Sequence, residues 1–472
     1  MPPPLATLIT LCFCAYMLRR EQRLHPTTRG DIWLPLIWMF FLCSRFPAQW
    51  LAVFGVSGGF FAPSFDGSPL DAIIFLLLTV LGAKVLQRRG YRLADFIHDN
   101  RWIAFFLLYC LLSALWSDMP FVSLKRWIKI LGHPVMALVI LTQPEPIEAI
   151  RSVFRRAAIL LLPLSILVIK YYPNISRSYD AWTGIPFISG LTTMKNSLGA
   201  VCLLYALFLA WDVMLTWKMP RGRVRTAQLI TSGGLFTLAI YLLHLARSAT
   251  SNACLMLGIA TLLVLATGWV NPRYIGGALI ATLIVAWASE SLFGIYEVAI
   301  TALGRNTTLT DRTDLWKLVF SMPHNVMFGA GFEMYWTGER VQRIAAIMGW
   351  LPNQAHNGYI ETYLNLGAIG LFLLCGWIVA AFQKTRVALL KDFYLGQFQL
   401  AFFLVILAYN YTEAGFKALQ PIWTMFFLIS IGCESYRWRR RSNAKAVIPR
   451  DGAVVYTEAG WGLPAGRSGA AV

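Results

Sequence analysis

Apolar residues in this chain come in long unbroken blocks separated by short polar connections, and each block is long enough, or nearly so, to carry a helix across about 30 Å of hydrocarbon. Thirteen blocks are expected to be helical, at 4–18, 32–55, 70–87, 102–117, 127–143, 157–172, 197–217, 227–246, 252–270, 274–289, 358–382, 395–412 and 418–435. Lipid-facing strands would alternate apolar with polar positions; these blocks do not, so helices rather than a barrel satisfy the backbone. The pattern breaks once, at residues 290–357, a long connection of mixed composition. Within it, 291–303 and 341–351 mix apolar and polar positions and read as short helices lying on the bilayer surface. The organisation is then ten helices in 1–289, one large loop in 290–357, three helices in 358–435 and a basic, flexible tail in 436–472. This is an all-α, polytopic integral membrane fold of twelve to thirteen transmembrane helices.

Charge sets the expected orientation. Of the 41 Lys and Arg residues, 27 fall in one set of alternate connections and in the tail, and basic residues gather on the cytoplasmic side. The C-terminus is therefore expected inside, with the N-terminus and the large loop outside; Lys125, Arg126 and Lys129 are the exceptions to this bias. Composition agrees with a membrane protein: 57% of residues are hydrophobic, only 14% are charged, and mean hydropathy is +0.58. The formal charge of +18 is accounted for by topology, so nucleic acid is not an expected partner. The eight cysteines form no Cys-x-x-Cys pair and read as small core residues. No basic side chain precedes the first apolar block, so that block is expected to be retained rather than cleaved. No internal repeat is visible, which disfavours the usual plan of secondary transporters.

The sharpest local pattern is His356-Asn357, nine residues, then Gly367-Ala368-Ile369-Gly370, where the large loop enters the eleventh block. Two readings stand side by side. In one, an interfacial histidine precedes a Gly-x-x-Gly helix contact, with Gly367 and Gly370 letting helices approach. In the other, His356 is a general base, because neutral imidazole accepts a proton near working pH. Arg247, at the outer end of the eighth block, and Arg312, in the large loop, are candidate diphosphate ligands, since guanidinium forks phosphate oxygens. Their plainer readings are a snorkelling side chain and a solvated ion pair with Asp311 or Asp314. Lys195, Asn357 and Glu413 are weaker, supporting candidates at membrane edges. Phe328-Gly329-Ala330-Gly331-Phe332 lacks the Lys and Ser/Thr of a P-loop, and His324 reads as a turn residue. No His-Glu-x-x-His and no Asp-x-Asp pair occurs, so neither a metal nor another cofactor is expected.

Taken in order, these pieces resemble the O-antigen ligases and related polysaccharide polymerases of bacterial envelopes. The resemblance is carried by Lys195-Asn196-Ser197-Leu198-Gly199, Ala246-Arg247-Ser248-Ala249, Asp311-Arg312-Thr313-Asp314-Leu315-Trp316, Phe328-Gly329-Ala330-Gly331-Phe332 and His356-Asn357 with Gly367 and Gly370, over about residues 190 to 375. Trp116-Ser117-Asp118-Met119-Pro120 is a fainter match. The chain departs from the pattern at Met194, where relatives often have histidine, and at Asp311, where glycine is common. The resemblance implies a GT-C-like glycosyltransferase of the bacterial inner membrane, with a periplasmic catalytic loop and no cofactor. Its donor would be a glycan on undecaprenyl diphosphate, and its acceptor a hydroxyl of lipid A core, protein or a second lipid-linked repeat, with membrane lipids around it. It also implies Arg247 and Arg312 as diphosphate ligands and His356 as activator of the acceptor hydroxyl. Ligase and repeat-unit polymerase share these motifs, with the ligase reading slightly ahead. A lipid-linked glycan transporter or flippase is the alternative from another class.

Overall fold

The structure is a computed structural model and describes residues 1–24, 30–56, 58–59, 67–179, 184, 186–293, 312–437 and 439–440. Most of the surface helix expected at 291–303, together with Asp311 and the tail beyond residue 440, lies outside the described residues. The first half contains α1 (Pro3–Leu24), α2 (Trp33–Leu42), α3 (Pro47–Val53), α4 (Pro69–Arg88), α5 (Leu93–Asp99), α6 (Arg101–Leu112), α7 (Pro120–Ile130), α8 (Gly132–Leu141) and α9 (Pro146–Tyr171). After α10 (Pro173–Ser176), Arg177–Tyr179 (β1) pairs antiparallel with Pro186–Ile188 (β2) in a small hairpin. Then come α11 (Lys195–Trp217), α12 (Arg223–Ala246), α13 (Ala249–Thr267), α14 (Ile275–Phe293), α15 (Arg312–Ser321), α16 (Gly338–Met348), α17 (Gly358–Lys391), α18 (Phe393–Thr412) and α19 (Pro421–Ser430).

The protein is an all-α, polytopic membrane protein, and every expected apolar block is helical. Among the described residues, seven helices are long and apolar enough to cross a membrane, or eight if the bent pair that includes α2 and α3 is one span. The blocks at 102–117, 127–143 and 418–435 are short or interrupted. The block at 127–143 is α7 followed by α8; Pro134 has no N–H to give the Ile130 carbonyl, and the helix breaks at Leu131. The block at 418–435 forms only the ten residues of α19, about 15 Å of helix. All ten are buried, so its apolarity reflects surrounding protein rather than lipid. The expected surface helix at 341–351 is present as α16.

Lipid tails are as apolar as leucine, so helices here associate through close packing and polar contacts. A Cβ on Gly199 of α11 would stand 2.6 Å from the Ser248 side chain, and one on Gly258 of α13 would stand 2.7 Å from Leu207. The 157–172 block is in fact α9, beginning at Pro146, so Arg151, Arg155 and Arg156 are not in a connecting loop as their charge implied. They are buried in the bundle, where acids from other helices receive Arg151 and Arg155, and the Arg156 guanidinium lies 5.5 Å from the Trp33 ring centroid. Arg155 Nε lies 2.8 Å from Asp212 of α11, its Nη1 lies 3.2 Å from Glu21 of α1, and Arg151 Nε lies 2.8 Å from the same Asp212. Ser232 of α12 donates to Asp212 at 2.6 Å. One carboxylate thereby joins three helices at one end of the bundle.

The opposite end carries the loop. Thr7 of α1 meets the Tyr172 hydroxyl at 2.8 Å, beside the hairpin and the start of α11, so the N-terminus and the large connection share that end. Arg126 of α7 donates to the Glu333 carbonyl and Ser123 donates to the Phe332 carbonyl at 3.1 Å. Arg126, one of the exceptional basic residues of α7, thus sits on the loop side and holds the loop.

Candidate functional site

Local structure fixes His356 from both sides. Asn357 caps α17, its Oδ1 accepting the Tyr359 and Ile360 amides at 2.9 and 3.0 Å, while its Nδ2 donates to the Tyr411 carbonyl at 2.9 Å. Before His356, the Ala355 amide donates to Glu361 Oε2 at 2.8 Å, and the Ala355 carbonyl accepts from the Trp316 indole at 2.7 Å. Glu361 also takes the Trp336 indole at 2.9 Å. Between these anchors His356 is held at φ 51°, a left-handed conformation that a side chain adopts only when its surroundings over-determine it.

The imidazole faces a carboxylate. His356 Nδ1 lies 3.3 Å from Glu413 Oε2, and Arg312 Nη2 lies 2.9 Å from Glu413 Oε1. Asn196, in the first turn of α11, donates to the same Oε1 at 2.9 Å. Arg312 also donates to the Thr412 carbonyl. One buried carboxylate in the turn after α18 therefore gathers an arginine from the large loop, a histidine from its end and an asparagine from α11. Burial alone would push the Glu413 carboxyl up, but the His356 hydrogen bond and the Arg312 charge outweigh it and hold the group below the usual carboxylate range. Gln354 lies 3.3 Å from the same His356 nitrogen. A charged acceptor makes the stronger bond, so Nδ1–H points to Glu413 and Nε2 is left with its lone pair.

The remaining candidates fall as follows. Arg247 is exposed, at φ 49° in the turn between α12 and α13, and its guanidinium has no partner among the described residues. Its turn borders the Glu413 assembly: Ser248 packs on Gly199, one helical turn from Asn196, and Thr412 donates to Thr250 at 3.0 Å. Lys195 is exposed, with its ammonium 5.9 Å from the Phe187 ring centroid. It stands beside the assembly rather than in it. His324 hydrogen-bonds within its own turn, to the Met322 carbonyl at 2.8 Å.

Gly367 and Gly370 differ from their expected role. Gly367 is non-helical, at φ 65°, and a side chain there would collide with the Met327 carbonyl, not with another helix. At this break the Ala368 amide donates to the Val326 carbonyl at 2.8 Å and the Ile369 amide to Met327 at 3.3 Å. The Leu364 and Asn365 carbonyls, which would have served those amides in a continuous helix, accept instead from Ala330 at 3.1 Å and Gly331 at 2.9 Å. The segment 326–331 is spliced into two rungs of α17. The two glycine motifs are halves of one device that locks the loop to the helix that follows His356. The close helix approach is at Gly358, against Asn410 of α18.

The residue pattern gave Glu413 and the Lys195-Asn196 pair only a weak, supporting place and did not single out Trp316 or Glu361. One signal was present: Arg312 and Trp316 are four residues apart and share a helix face, and that face is the one used.

Residues 234–375 match the family described as O-antigen ligase, a range that includes Arg247, Arg312, His356, Gly367 and Gly370. Over 310 residues the chain is 29% identical to the exopolysaccharide production protein ExoQ of Rhizobium meliloti (strain 1021), a match covering 62% of this chain and 66% of that protein. Both findings support the O-antigen ligase and polymerase superfamily.

Proposed function

We propose, from this similarity to the O-antigen ligase family and to an exopolysaccharide production protein, that the protein is a membrane glycosyltransferase. It moves a glycan from undecaprenyl diphosphate to a hydroxyl acceptor at the periplasmic face of the bacterial inner membrane, without a metal. The observation that carries the reading is the meeting of Arg312 and His356 on the Glu413 carboxylate. Glu413 holds Nδ1–H, so Nε2 of His356 takes the proton from the acceptor hydroxyl as its oxygen attacks the anomeric carbon. The bond from that carbon to the diphosphate oxygen breaks with its electron pair, and the configuration inverts in a single displacement. Arg312, joined by Arg247 from the bordering turn, offsets charge growing on the departing diphosphate. Lys195 and Asn357 support the site from its edge and from the helix cap. The large loop 290–357 is then the catalytic loop, the C-terminus cytoplasmic and the N-terminus periplasmic.

The acceptor defines the reaction. The family match favours ligation to lipid A core or protein. A second reading, polymerisation onto another lipid-linked repeat, is favoured by the longer match to an exopolysaccharide production protein. Purified protein should turn over a defined polyprenyl-diphosphate glycan in chelator, and His356→Ala should not. Full turnover by His356→Ala, or a strict need for metal, would overturn the proposal. In a deletion strain, short repeats stranded on the carrier indicate a lost polymerase and long chains a lost ligase. Transport of intact labelled lipid-linked glycan by proteoliposomes, with no glycosidic bond formed, would instead make the protein a transporter.

A further inference from the structure

A cavity of about 670 Å³ opens at the end of the bundle away from His356, between the start of α9, the end of α11 and the start of α18. Nothing in the proposed reaction uses it. Its volume falls within the range of small-molecule sites. Leu215 on its wall lies 19 residues along α11 from Asn196 of the Glu413 assembly, about 30 Å at the helical rise. That is one hydrocarbon thickness, so with the Glu413 assembly at one headgroup layer the cavity lies in the other. Trp217, 65% exposed at the end of α11, marks the same level as an interfacial aromatic.

The charges of the wall select the occupant. Three cations, Arg151, Lys218 and Arg437, face three carboxylates, Glu145, Glu148 and Asp392. Arg151 is committed to Glu148 and to Asp212, and Asp392 caps α18 by accepting the Leu395 amide at 3.2 Å. Lys218 and Arg437 enter no ion pair among the described residues, and Lys218 is aimed by the Tyr394 ring, 5.1 Å from its centroid. Glu145 is likewise exposed and without an ion pair among the described residues. Apolar wall comes from Ile147, Leu215, Met219 and Leu395. A wall of zero net charge with free groups of both signs, set beside apolar surface in a headgroup layer, matches an amphiphile whose head is itself a zwitterion. We infer that this cavity binds an aminophospholipid headgroup, its phosphate between Lys218 and Arg437 and its primary ammonium toward Glu145. Basic pockets between membrane helices hold lipid phosphates in this way; the acid adds selection for the amine.

The test is native mass spectrometry of the whole protein released from nanodiscs of equal phosphatidylethanolamine, phosphatidylglycerol and phosphatidylcholine. Retention of one phosphatidylethanolamine in preference to the other two is expected. Lys218→Ala and Arg437→Ala should each weaken that adduct about tenfold, the loss of one charged hydrogen bond. Glu145→Gln should erase the preference over phosphatidylcholine, whose quaternary ammonium donates no hydrogen bond, while keeping a lipid bound. All three side chains are exposed, and unchanged thermal midpoints would show that the variants fold. Equal retention of phosphatidylglycerol by the wild type would overturn the inference, as would no retained lipid or an adduct indifferent to Lys218→Ala and Arg437→Ala combined. Full displacement by inorganic phosphate would make this a free-anion site and would overturn it too.

Discussion

Replacing Glu413 by glutamine tests the central geometry most directly. The carboxylate is 7% exposed and accepts from Arg312, Asn196 and His356 at 2.9, 2.9 and 3.3 Å. A glutamine keeps one acceptor oxygen but presents an NH2 where the second oxygen stood, so it faces either the Arg312 fork or the His356 Nδ1–H with a donor against a donor. Removing one partner of a buried ion pair costs about 3–5 kcal/mol. The retained oxygen recovers part of this, leaving an expected loss of about 2–3 kcal/mol. The effect on turnover is larger, because an imidazole no longer held by its carboxylate spends most of its time with the wrong nitrogen protonated, and such a loss ranges from about 10² to 10⁴ in kcat. The assay is initial-rate transfer from a defined polyprenyl-diphosphate glycan, with thermal unfolding in the same detergent. Glu413→Asp should fall between the two. The pH dependence has a definite sign: Glu413 is held below its ordinary value in the folded protein, so its stabilisation is present above about pH 4.3 and is lost as pH falls through the lower, folded value. The stability gap between wild type and Glu413→Gln should therefore persist at pH 5 and close only in stronger acid. Glu413→Gln turning over within threefold of wild type, with the gap closed already at pH 6, would refute the assignment.

The two arginines should separate by readout. Arg247→Ala removes an exposed guanidinium without a partner among the described residues and should lower turnover about 10²-fold while leaving the thermal midpoint unchanged; Arg312→Ala should lower both, since it strands Glu413. Gly367→Ala places a Cβ against the Met327 carbonyl at φ 65°, which combines left-handed strain with overpacking for about 2–5 kcal/mol, read as a fall in thermal midpoint. Glu333 should show the opposite pH slope to Glu413. Burial pushes its carboxyl up despite Lys417, the Ala418 amide and Arg126, so its contribution to stability is full below about pH 4.3 and is lost as pH rises through the raised folded value. Glu333→Gln, which keeps an acceptor for the Ala418 amide, should remove that acid-side gain in a thermal-unfolding series.

What the chain reveals about itself and what it conceals have separate physical causes. Apolar blocks had to be helical because hydrocarbon offers the backbone no partner, and that argument needs no knowledge of neighbours. It cannot distinguish lipid from protein as the surroundings of a block, which is why α19 reads like a span and is a short buried helix. It also ends a span where charge begins, so α9 appears to start at residue 157 when it starts at Pro146; Asp212 and Glu21, 57 and 134 residues from Arg155 in sequence, receive its charge only once the bundle has formed.

The site divides along the same line. His356 and Arg312 stand out by residue type in a long polar connection, whereas Glu413 is one acid in a short turn, and its importance comes from three elements converging on it. The glycines make the point sharply. Gly329 and Gly331 on one side and Gly367 on the other look like two unrelated motifs, 36 residues apart between Gly331 and Gly367. Gly329 and Gly367 are needed together because a Cβ on either would strike the backbone of the other segment at the crossing, at Asn365 and at Met327, while a Cβ on Gly331 would strike Ser117. The splice fixes the loop ten residues beyond His356, and Glu361 and Trp336 fix it again just after that residue. The loop that carries Arg312 and the helix that follows His356 are therefore one rigid unit closing on the Glu413 turn. In the proposed reaction, His356 as base and Arg312 as anion ligand, 44 residues apart in sequence, would keep a constant spacing on such a unit, as a single in-line displacement requires.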